Sequence, residues 1–208
     1  MDGTPSTRVA AVVLAAGGST RMGQLKQLLP VGGRPMVRRV TSAVCKAGLT
    51  QVVVVVGAQA DAVSRALASL AVDVVVNEAW AEGMSTSVRA GLRVVRPEIQ
   101  AVLLVLADQP ALTPDLVRTL VARYQATGAL IVAPFYQGQR GNPVLFDRTL
   151  FAELLAVEGD RGGRLLIMSH QEQVERVEID DPAVIMDIDT RHDYDRVRDS
   201  RNDYESLD

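Results

Sequence analysis

The amino-acid sequence predicts an α/β fold, a three-layer α/β/α sandwich built around a mostly parallel sheet. Its valine-rich runs are apolar at nearly every position, which is typical of parallel strands that are covered on both faces. Helical patterns separate these runs, and strands that alternate with helices are joined by right-handed crossovers. The predicted strands are 9–16, 51–57, 72–77, 100–108 and 129–134.

The predicted helices carry start and stop signals. The pattern at 34–48 has Pro35 near its first turn, and the pattern at 113–128 begins at the cap residue Thr113 and closes with Gly128. Beyond the fifth strand the pattern loosens into a glycine-rich segment, a further helix and short strands. The remaining helical patterns are 59–70, 85–95 and 147–157.

The composition is that of a soluble globular protein. The chain has 208 residues, of which 48% are hydrophobic and 23% charged, with a formal net charge of −3. This length suits one domain, which we expect over 1–198, followed by a polar tail over 199–208. The mildly acidic balance argues against a nucleic-acid partner, and apolar runs of strand length are too short to cross a membrane.

Scarce residue types also exclude some kinds of covalent and metal chemistry. A single cysteine excludes an intramolecular disulfide, and the N-terminus lacks the regions of a signal peptide, so we expect a cytoplasmic protein. Cys45 lies in a helical pattern and is interpreted as a small core residue. With only His170 and His192 besides, a Cys/His zinc site is not expected, and a catalytic metal would take oxygen ligands as Mg²⁺ does.

Three unusual segments directly follow predicted strands. In open α/β sheets, ligands bind beyond the carboxyl ends of the strands. We therefore expect these segments to converge on one binding site. They are AAGGSTRMG (15–23), NEAWAEGMSTS (77–87) and ADQPALTP (107–114).

The first of these segments has the composition of an anion-binding loop. Gly17, Gly18 and Gly23 allow backbone amides to point at a ligand. Arg21 provides a planar fork and Lys26 a point charge, a pair suited to several phosphate groups at once. The loop is neither a Walker A nor a G-x-G-x-x-G sequence. The alternative is a turn shaped by glycines, with two solvated surface cations.

Three aspartates are candidates for metal binding. Asp108 ends the fourth predicted strand, where it would hold Mg²⁺ on a rigid scaffold, unless it only forms a turn or a cap. Asp187 and Asp189 lie two residues apart and on a strand would face the same side. Carboxylates that close repel one another unless a cation relieves them. Asp189 alternatively caps the helix that follows Thr190.

Six motifs connect these features to a known family. They occur in order between residues 14 and 194 and read LAAGGSTRMGQLKQLLPVGGRP, GMSTSVRAGL, LADQPALT, GQRGNPVLF, GDRGGRLL and DIDTRHDY. With them the chain resembles the molybdenum cofactor cytidylyltransferase family, within the MobA-like group of NTP transferases. The resemblance implies a Rossmann-like nucleotide-diphospho-sugar transferase fold. It also implies transfer of CMP from CTP to the terminal phosphate of molybdopterin, with Mg²⁺ as cofactor and pyrophosphate as the second product.

The resemblance further implies roles for individual residues. Catalysis would depend on Arg21, Lys26 and Asp108, and the metal would be bound by Asp108, Asp189 and Asp187. The nucleotide-binding part would span about 8–135 and use Leu14, Ala15, Ala16, Gly17, Gly18, Arg21, Lys26, Gly83, Ser85 and Asp108, with 83–87 lining the base and ribose. The acceptor-binding part would span about 136–198 and use Arg140, Gly141, Asn142, Pro143, Asp160 and Arg164. A client molybdoenzyme or its accessory protein would be the protein partner.

Two positions depart from the family's usual motifs, both on the acceptor side. Members commonly read RGHP where this chain has Asn142, and GDxGAR where it has Gly163. On the nucleotide side, LAAG resembles the motif of the family members that use CTP. The methyl group of Ala16 would narrow the space beside the base and so favour a pyrimidine. The alternatives are a transferase of the same fold that uses GTP or another phosphorylated acceptor, and a non-catalytic chaperone for the molybdenum cofactor.

Overall fold

A mixed sheet of eight strands forms the centre of the computed structural model, which describes residues 8–19, 22–159 and 163–199. The strands, including a separate hairpin of β2 and β3, are β1 (Val9–Ala15), β2 (Pro30–Val31), β3 (Arg34–Pro35), β4 (Gln51–Val56), β5 (Asp73–Val76), β6 (Ala101–Leu106), β7 (Ile131–Tyr136), β8 (Gln139–Arg140), β9 (Val144–Asp147) and β10 (Val174–Glu178). The helices are α1 (Met36–Lys46), α2 (Ala60–Ala66), α3 (Met84–Leu92), α4 (Pro114–Thr127), α5 (Phe151–Ala156), α6 (Arg164–Ser169) and α7 (Arg191–Asp199). Within these ranges, no helix combines the length and the apolar character needed to cross a membrane.

The predicted, mostly parallel sheet is confirmed. In the order β10-β7-β9-β6-β1-β4-β5, β1 pairs in parallel with both β4 and β6. At the two ends of the sheet, β5 pairs in parallel with β4, and β10 with β7. Strand β9 runs antiparallel between β6 and β7, and the short β8 forms a hairpin with β7. The carboxyl ends of β1, β4, β5 and β6 therefore lie at one edge.

The apolar runs of β1, β4, β6 and β7 are buried on both faces of the sheet, as the sequence predicts. The same expectation is wrong for β5, because this strand lies at the edge of the sheet and leaves Val74 and Val76 40% and 57% exposed. Because side chains alternate along a strand, Val13 packs on one face with α1, α2 and α4, and Val12 packs on the other with α3, α5 and α6. Each cluster joins the sheet to the helices on one of its faces, which gives the three layers of the sandwich. A third, smaller cluster joins Val31 and Met36 to Ile188 of the C-terminal segment.

Helix α2 is shorter than the predicted pattern at 59–70. It ends at Ala66, because Arg38 binds the carbonyl oxygens of Ala66 at 2.9 Å and Ala68 at 2.7 Å and so satisfies the end of the helix. Ser69 then adopts the left-handed region with φ of 70°, which a right-handed helix does not pass through.

Other local predictions have mixed outcomes. Thr113 caps α4 as predicted and accepts a hydrogen bond of 3.2 Å from the N–H of Leu116. Pro35 lies directly before the first turn of α1, near the start of the helix as predicted. Cys45 is half-buried against the core, and this burial raises the pKa of its thiol. The predicted polar tail lies outside the described residues, except for Asp199 at the end of α7.

Gly91 lets α3 lie directly on the sheet, because a Cβ atom there would overlap Val12 and come within 3.0 Å of Val55. We expect Gly91→Val to lower the free energy of unfolding by about 3 kcal/mol, since overpacking a core forces neighbours to move. Urea denaturation measures the change. The matched control is Ala90→Val in the same helix, a partly buried position for which we expect a smaller loss, mainly the helix-propensity cost of roughly 0.6 kcal/mol. Equal losses in the two variants would contradict the close approach.

Candidate functional site

A cavity of about 500 Å³ opens beyond the carboxyl ends of β1 and β6. The three segments singled out in the sequence meet there, together with Asp189 from the C-terminal segment. Of the residues predicted to bind the nucleotide, those that line the cavity are Leu14, Ala16, Gly17, Gly18, Lys26, Gly83 and Asp108. Arg21 lies outside the described residues.

Lys26 is the centre of a charged cluster in this cavity. Its Nζ atom lies 2.7 Å from Asp108 Oδ2 and 2.9 Å from Asp189 Oδ1, and it donates a further hydrogen bond of 2.9 Å to the carbonyl oxygen of Ile188. These contacts use all three N–H donors of the ammonium group. Burial opposes the charged form, but the two carboxylates outweigh this effect and raise the pKa of Lys26 above its ordinary value.

Asp108 retains one carboxylate oxygen that the described part of the chain does not satisfy. Oδ2 accepts from Lys26, whereas Oδ1 is buried without a hydrogen-bond partner among the described residues. The backbone here is fixed, because the Ile188 N–H donates to the Asp108 carbonyl oxygen at 3.0 Å. A buried unpaired carboxylate oxygen is costly, so this atom is suited to a ligand such as a divalent cation.

The capping role at α7 belongs to the neighbours of Asp189. Asp193 accepts a hydrogen bond of 2.8 Å from the backbone N–H of Thr190, and Thr190 Oγ1 accepts one of 3.2 Å from the N–H of Asp193. This reciprocal pair is a capping box. The Asp189 carboxylate contacts Lys26 instead, so the alternative in which Asp189 caps the helix is wrong.

Asp187 departs from the predicted arrangement. Residues 186–189 do not form a strand, so the expectation that Asp187 and Asp189 share one strand face is wrong. Asp187 lines a second cavity of about 360 Å³, and burial together with Asp108 and Asp189 raises its pKa. Across 8–19, 22–159 and 163–199, no three acidic, imidazole or thiol groups form a metal-holding set, so the three predicted aspartates are not preassembled as one.

Two other predicted nucleotide-binding residues do not line the cavity. Ala15 points into the core on the side of α1, as the alternation along β1 requires. Ser85 is fully buried in the first turn of α3, and its hydroxyl has no hydrogen-bond partner among the described residues. Ser87, two residues later, lines the cavity in its place.

Trp80 packs closely on the glycine-rich first loop (15–23), and sequence reasoning missed this residue. A Cβ atom at Gly18 would come within 2.8 Å of the indole ring, and one at Gly57 within 2.6 Å of Trp80 Cβ. The backbone therefore approaches the ring more closely than any residue with a side chain would allow. The available signal was that the chain's single tryptophan lies in a segment that follows a strand.

Gln27 is the second residue that sequence reasoning missed. It is buried beside Lys26, and its amide contacts Gly17 and Ser19 of the first loop. Glutamine beside a cationic residue has no sequence signature of its own. Only the folded contacts reveal it. The other cavity-lining residues that were not predicted are Ser19, Met22, Ala81 and Leu106.

The predicted acceptor residues lie apart from the first cavity. Arg140 is half-buried, and burial together with the nearby guanidinium of Arg164 lowers the pKa of Arg140 below its ordinary value. The salt bridges found in the described part of the chain include neither arginine. Asp160 lies outside the described residues. The described acceptor residues, none of which lines the first cavity, are Arg140, Gly141, Asn142, Pro143 and Arg164.

Close packing explains two glycines of the acceptor segment. A Cβ atom at Gly141 would overlap the carbonyl oxygen of Val184, which also accepts a hydrogen bond of 2.9 Å from the N–H of Asn142. At Gly163 a Cβ atom would come within 2.8 Å of the Phe146 ring. The glycine found where the family commonly has alanine therefore matches the space that this ring leaves.

Comparisons with known proteins identify the family of the chain. Residues 11–174 match the family described as the MobA-like NTP transferase domain. Nicotine blue oxidoreductase of Paenarthrobacter nicotinovorans is 30% identical over 198 residues, which cover 91% of this chain and 96% of that protein. Rv0371c from Mycobacterium tuberculosis H37Rv has a TM-score of 0.85 at 34% identity, covering 93% of this chain and 98% of that one.

Two further solved structures add detail. A complex of Rv0371c with manganese has a TM-score of 0.81 at 34% identity and covers 93% of this chain and 100% of that one. Mth528, described as a nucleotidyl transferase from Methanothermobacter, has a TM-score of 0.80 at 26% identity and covers 93% and 97%. Because the family match extends over most of the chain and reaches from β1 to the start of β10, the protein belongs to the MobA-like NTP transferase family and is a nucleotidyltransferase.

Proposed function

We propose that the protein transfers CMP from CTP to the terminal phosphate of a molybdopterin-type cofactor and releases pyrophosphate. One observation carries the proposal: the Lys26–Asp108–Asp189 cluster adjoins the glycine-rich loop in a single cavity of about 500 Å³. This volume is within the range of small-molecule sites. A triphosphate needs hydrogen-bond donors and charge compensation together, and these are the groups that this cavity combines.

The charge of the cluster favours a nucleotide that arrives with a cation. One ammonium group and two carboxylates give the cluster a formal charge of −1. A triphosphate beside it would be repelled unless further positive charge accompanied it. We propose that Arg21 supplies part of this charge and a divalent cation the rest.

Asp108 and Asp189 are suited to hold that cation. Mg²⁺ is commonly bound by one or two carboxylates, and substrate phosphates and water complete its shell. The buried, unpaired Asp108 Oδ1 supports this role, and we propose Asp187 as a further carboxylate that acts from nearby. The manganese complex of Rv0371c is a precedent for a divalent cation in a similar protein. When bound, the cation would offset phosphate charge and polarise phosphoryl oxygens.

The reaction depends on positioning the acceptor phosphate against CTP more than on proton transfer. An acceptor phosphate oxygen attacks the α-phosphorus of CTP, forming a P–O bond as the bond from that phosphorus to the bridging oxygen breaks and pyrophosphate leaves. The attacking phosphate is already largely ionised at neutral pH, so no strong general base is required. Lys26, which stays protonated, would stabilise the charge that develops on the departing pyrophosphate.

The acceptor would be recognised by residues that lie outside the lining of the first cavity. Arg140 and Arg164 form a pair of neighbouring cations, and guanidinium groups bind phosphate in a fork geometry. We propose that they attract the terminal phosphate of the acceptor. A client molybdoenzyme or its accessory protein would then receive the product.

A pyrophosphate-release assay tests the proposed function. It crosses CTP, GTP, ATP and UTP with molybdopterin, sugar phosphates and alditol phosphates, in the presence of Mg²⁺. We expect release with CTP and molybdopterin to exceed that of every other pair. Release with another acceptor would favour a different transferase of the same fold. Binding of CTP without release would favour the non-catalytic chaperone.

Asp108→Asn removes one negative charge and keeps the size of the side chain. We expect turnover to fall roughly 100-fold or more, as when another preorganised electrostatic group is lost from an active site. We also expect the Mg²⁺ concentration required for half-maximal activity to rise. Steady-state kinetics over a Mg²⁺ series measures both, with Asp115→Asn on the exposed face of α4 as the matched control. Unchanged turnover and Mg²⁺ dependence would remove Asp108 from the proposed metal site.

Ala16→Gly tests the choice of base. Ala16 lines the cavity and is 3% exposed, so removing its methyl group opens space beside the base. We expect the preference for CTP over GTP, measured as the ratio of kcat/KM values, to fall by about 10- to 200-fold, the discrimination that one methyl group provides. Ala11→Gly, in the core of β1, is the control and should leave the ratio unchanged. An unchanged ratio in Ala16→Gly would assign base selection to other residues.

A further inference from the structure

Gln27 is a buried polar residue whose side-chain hydrogen bonds go to the first loop. It belongs to the 3-10 turn Lys26–Leu28 and is only 4% exposed. A buried amide is costly unless its donor and acceptor are both satisfied. The partners of Gln27 therefore indicate what the residue contributes at this position.

Both ends of the Gln27 amide bind the loop. Nε2 donates a hydrogen bond of 2.8 Å to the Gly17 carbonyl oxygen, and Oε1 accepts one of 3.1 Å from the Ser19 hydroxyl. The Ser19 oxygen in turn accepts the backbone N–H of Lys26 at 3.0 Å. One side chain thus connects two residues of the loop with the residue that carries the ammonium group.

These contacts fix the orientation of a loop peptide. In a trans peptide, the C=O of one residue and the N–H of the next point in opposite directions. Because Gln27 holds the Gly17 carbonyl oxygen, the N–H of Gly18 points away from Gln27. Ser19 has φ of 51°, a left-handed conformation that is uncommon for a residue with a side chain, and its two side-chain hydrogen bonds hold it there.

We propose that Gln27 is a positioning residue for the nucleotide. It turns the Gly17 carbonyl away from the triphosphate, so that the loop presents N–H donors, and through Ser19 it sets the position of Lys26. Glycine peptides reorient readily, and a reversed Gly17–Gly18 peptide would present a carbonyl oxygen to phosphate. The inference rests on the proposed function, because it requires a nucleoside triphosphate in this cavity.

Gln27→Glu gives the test a pH readout that a purely structural role would not produce. At about pH 7.5 the ionised carboxylate has no proton to donate to Gly17, and we expect CTP affinity in the presence of Mg²⁺ to fall roughly 10- to 100-fold, with a smaller change in kcat. At about pH 5.5 the buried carboxyl becomes protonated and regains a donor, so the ratio of wild-type to variant affinity should move back toward one. Isothermal titration calorimetry measures the ratio at each pH.

Two variants serve as controls. Gln27→Met keeps the length of the side chain but cannot donate at any pH, so its affinity should be low at both pH values. Gln51→Met removes an equally buried glutamine, 5% exposed, at the opposite end of the sheet. It should reduce stability, because Gln51 bonds to Asp73 and to the Val94 carbonyl, but leave CTP affinity unchanged.

The outcomes separate this inference from the proposed function. If the wild-type protein binds CTP and both Gln27 variants bind it equally well, or if acidification affects the two alike, the positioning role is wrong. If Gln27→Glu does not fold, Ser19→Ala interrupts the same chain of contacts, and wild-type CTP affinity in that variant would overturn the inference. If the wild-type protein binds none of CTP, GTP, ATP and UTP, the proposed function itself is wrong.

Discussion

The ammonium group of Lys26 joins parts of the chain that are far apart in sequence. Asp108 lies 82 residues away and Asp189 lies 163 residues away, yet both carboxylates contact the same nitrogen. The three side chains are only 14%, 19% and 37% exposed, so a lost partner would leave a poorly solvated charge. These contacts therefore hold the C-terminal segment against the sheet and set the charge of the cavity. Architecture and chemistry depend here on one set of bonds.

In the proposed function, the loop and the cluster would contribute differently to holding a polyanion. Backbone amides of the glycine-rich loop offer donors that carry no net charge, and Gln27 and Trp80 contact this loop. The cluster, in contrast, satisfies its own ammonium group with carboxylates, so that Lys26 is not left buried without a counter-charge. In the proposed transfer, groups that are held in place in this way would need little reorganisation when charge shifts.

Local pattern was sufficient for the fold and for the location of the site. Continuous valine runs have few structural solutions other than strands covered on both sides. The placement of Lys26 and Asp108 at the candidate site could be predicted because they lie in the connections that follow β1 and β6. Pairings between distant side chains were not accessible in the same way. Thr190 and Asp193 cap α7, and the Asp189 carboxylate is therefore available to Lys26. This arrangement depends on how the C-terminal segment lies across the sheet edge.

The residues that sequence reasoning missed share this property. Trp80 matters because the backbone at Gly18 and Gly57 approaches its ring, and Gln27 matters because the loop folds back over it. Phe146 similarly accounts for Gly163, 17 residues later in the chain. In each case the determining contact is formed by tertiary packing, which a single sequence without an imposed fold does not specify.

Strand β9 interlocks the two parts of the chain that would hold the nucleotide and the acceptor. It follows the β7–β8 hairpin in sequence, yet it lies between β6 and β7 and hydrogen-bonds to both. A chimera joined near residue 135 would take the neighbour of β6 from a different parent. The parts before and after residue 135 are consequently not interchangeable. A change of acceptor in such a chain would have to come from substitutions within its loops.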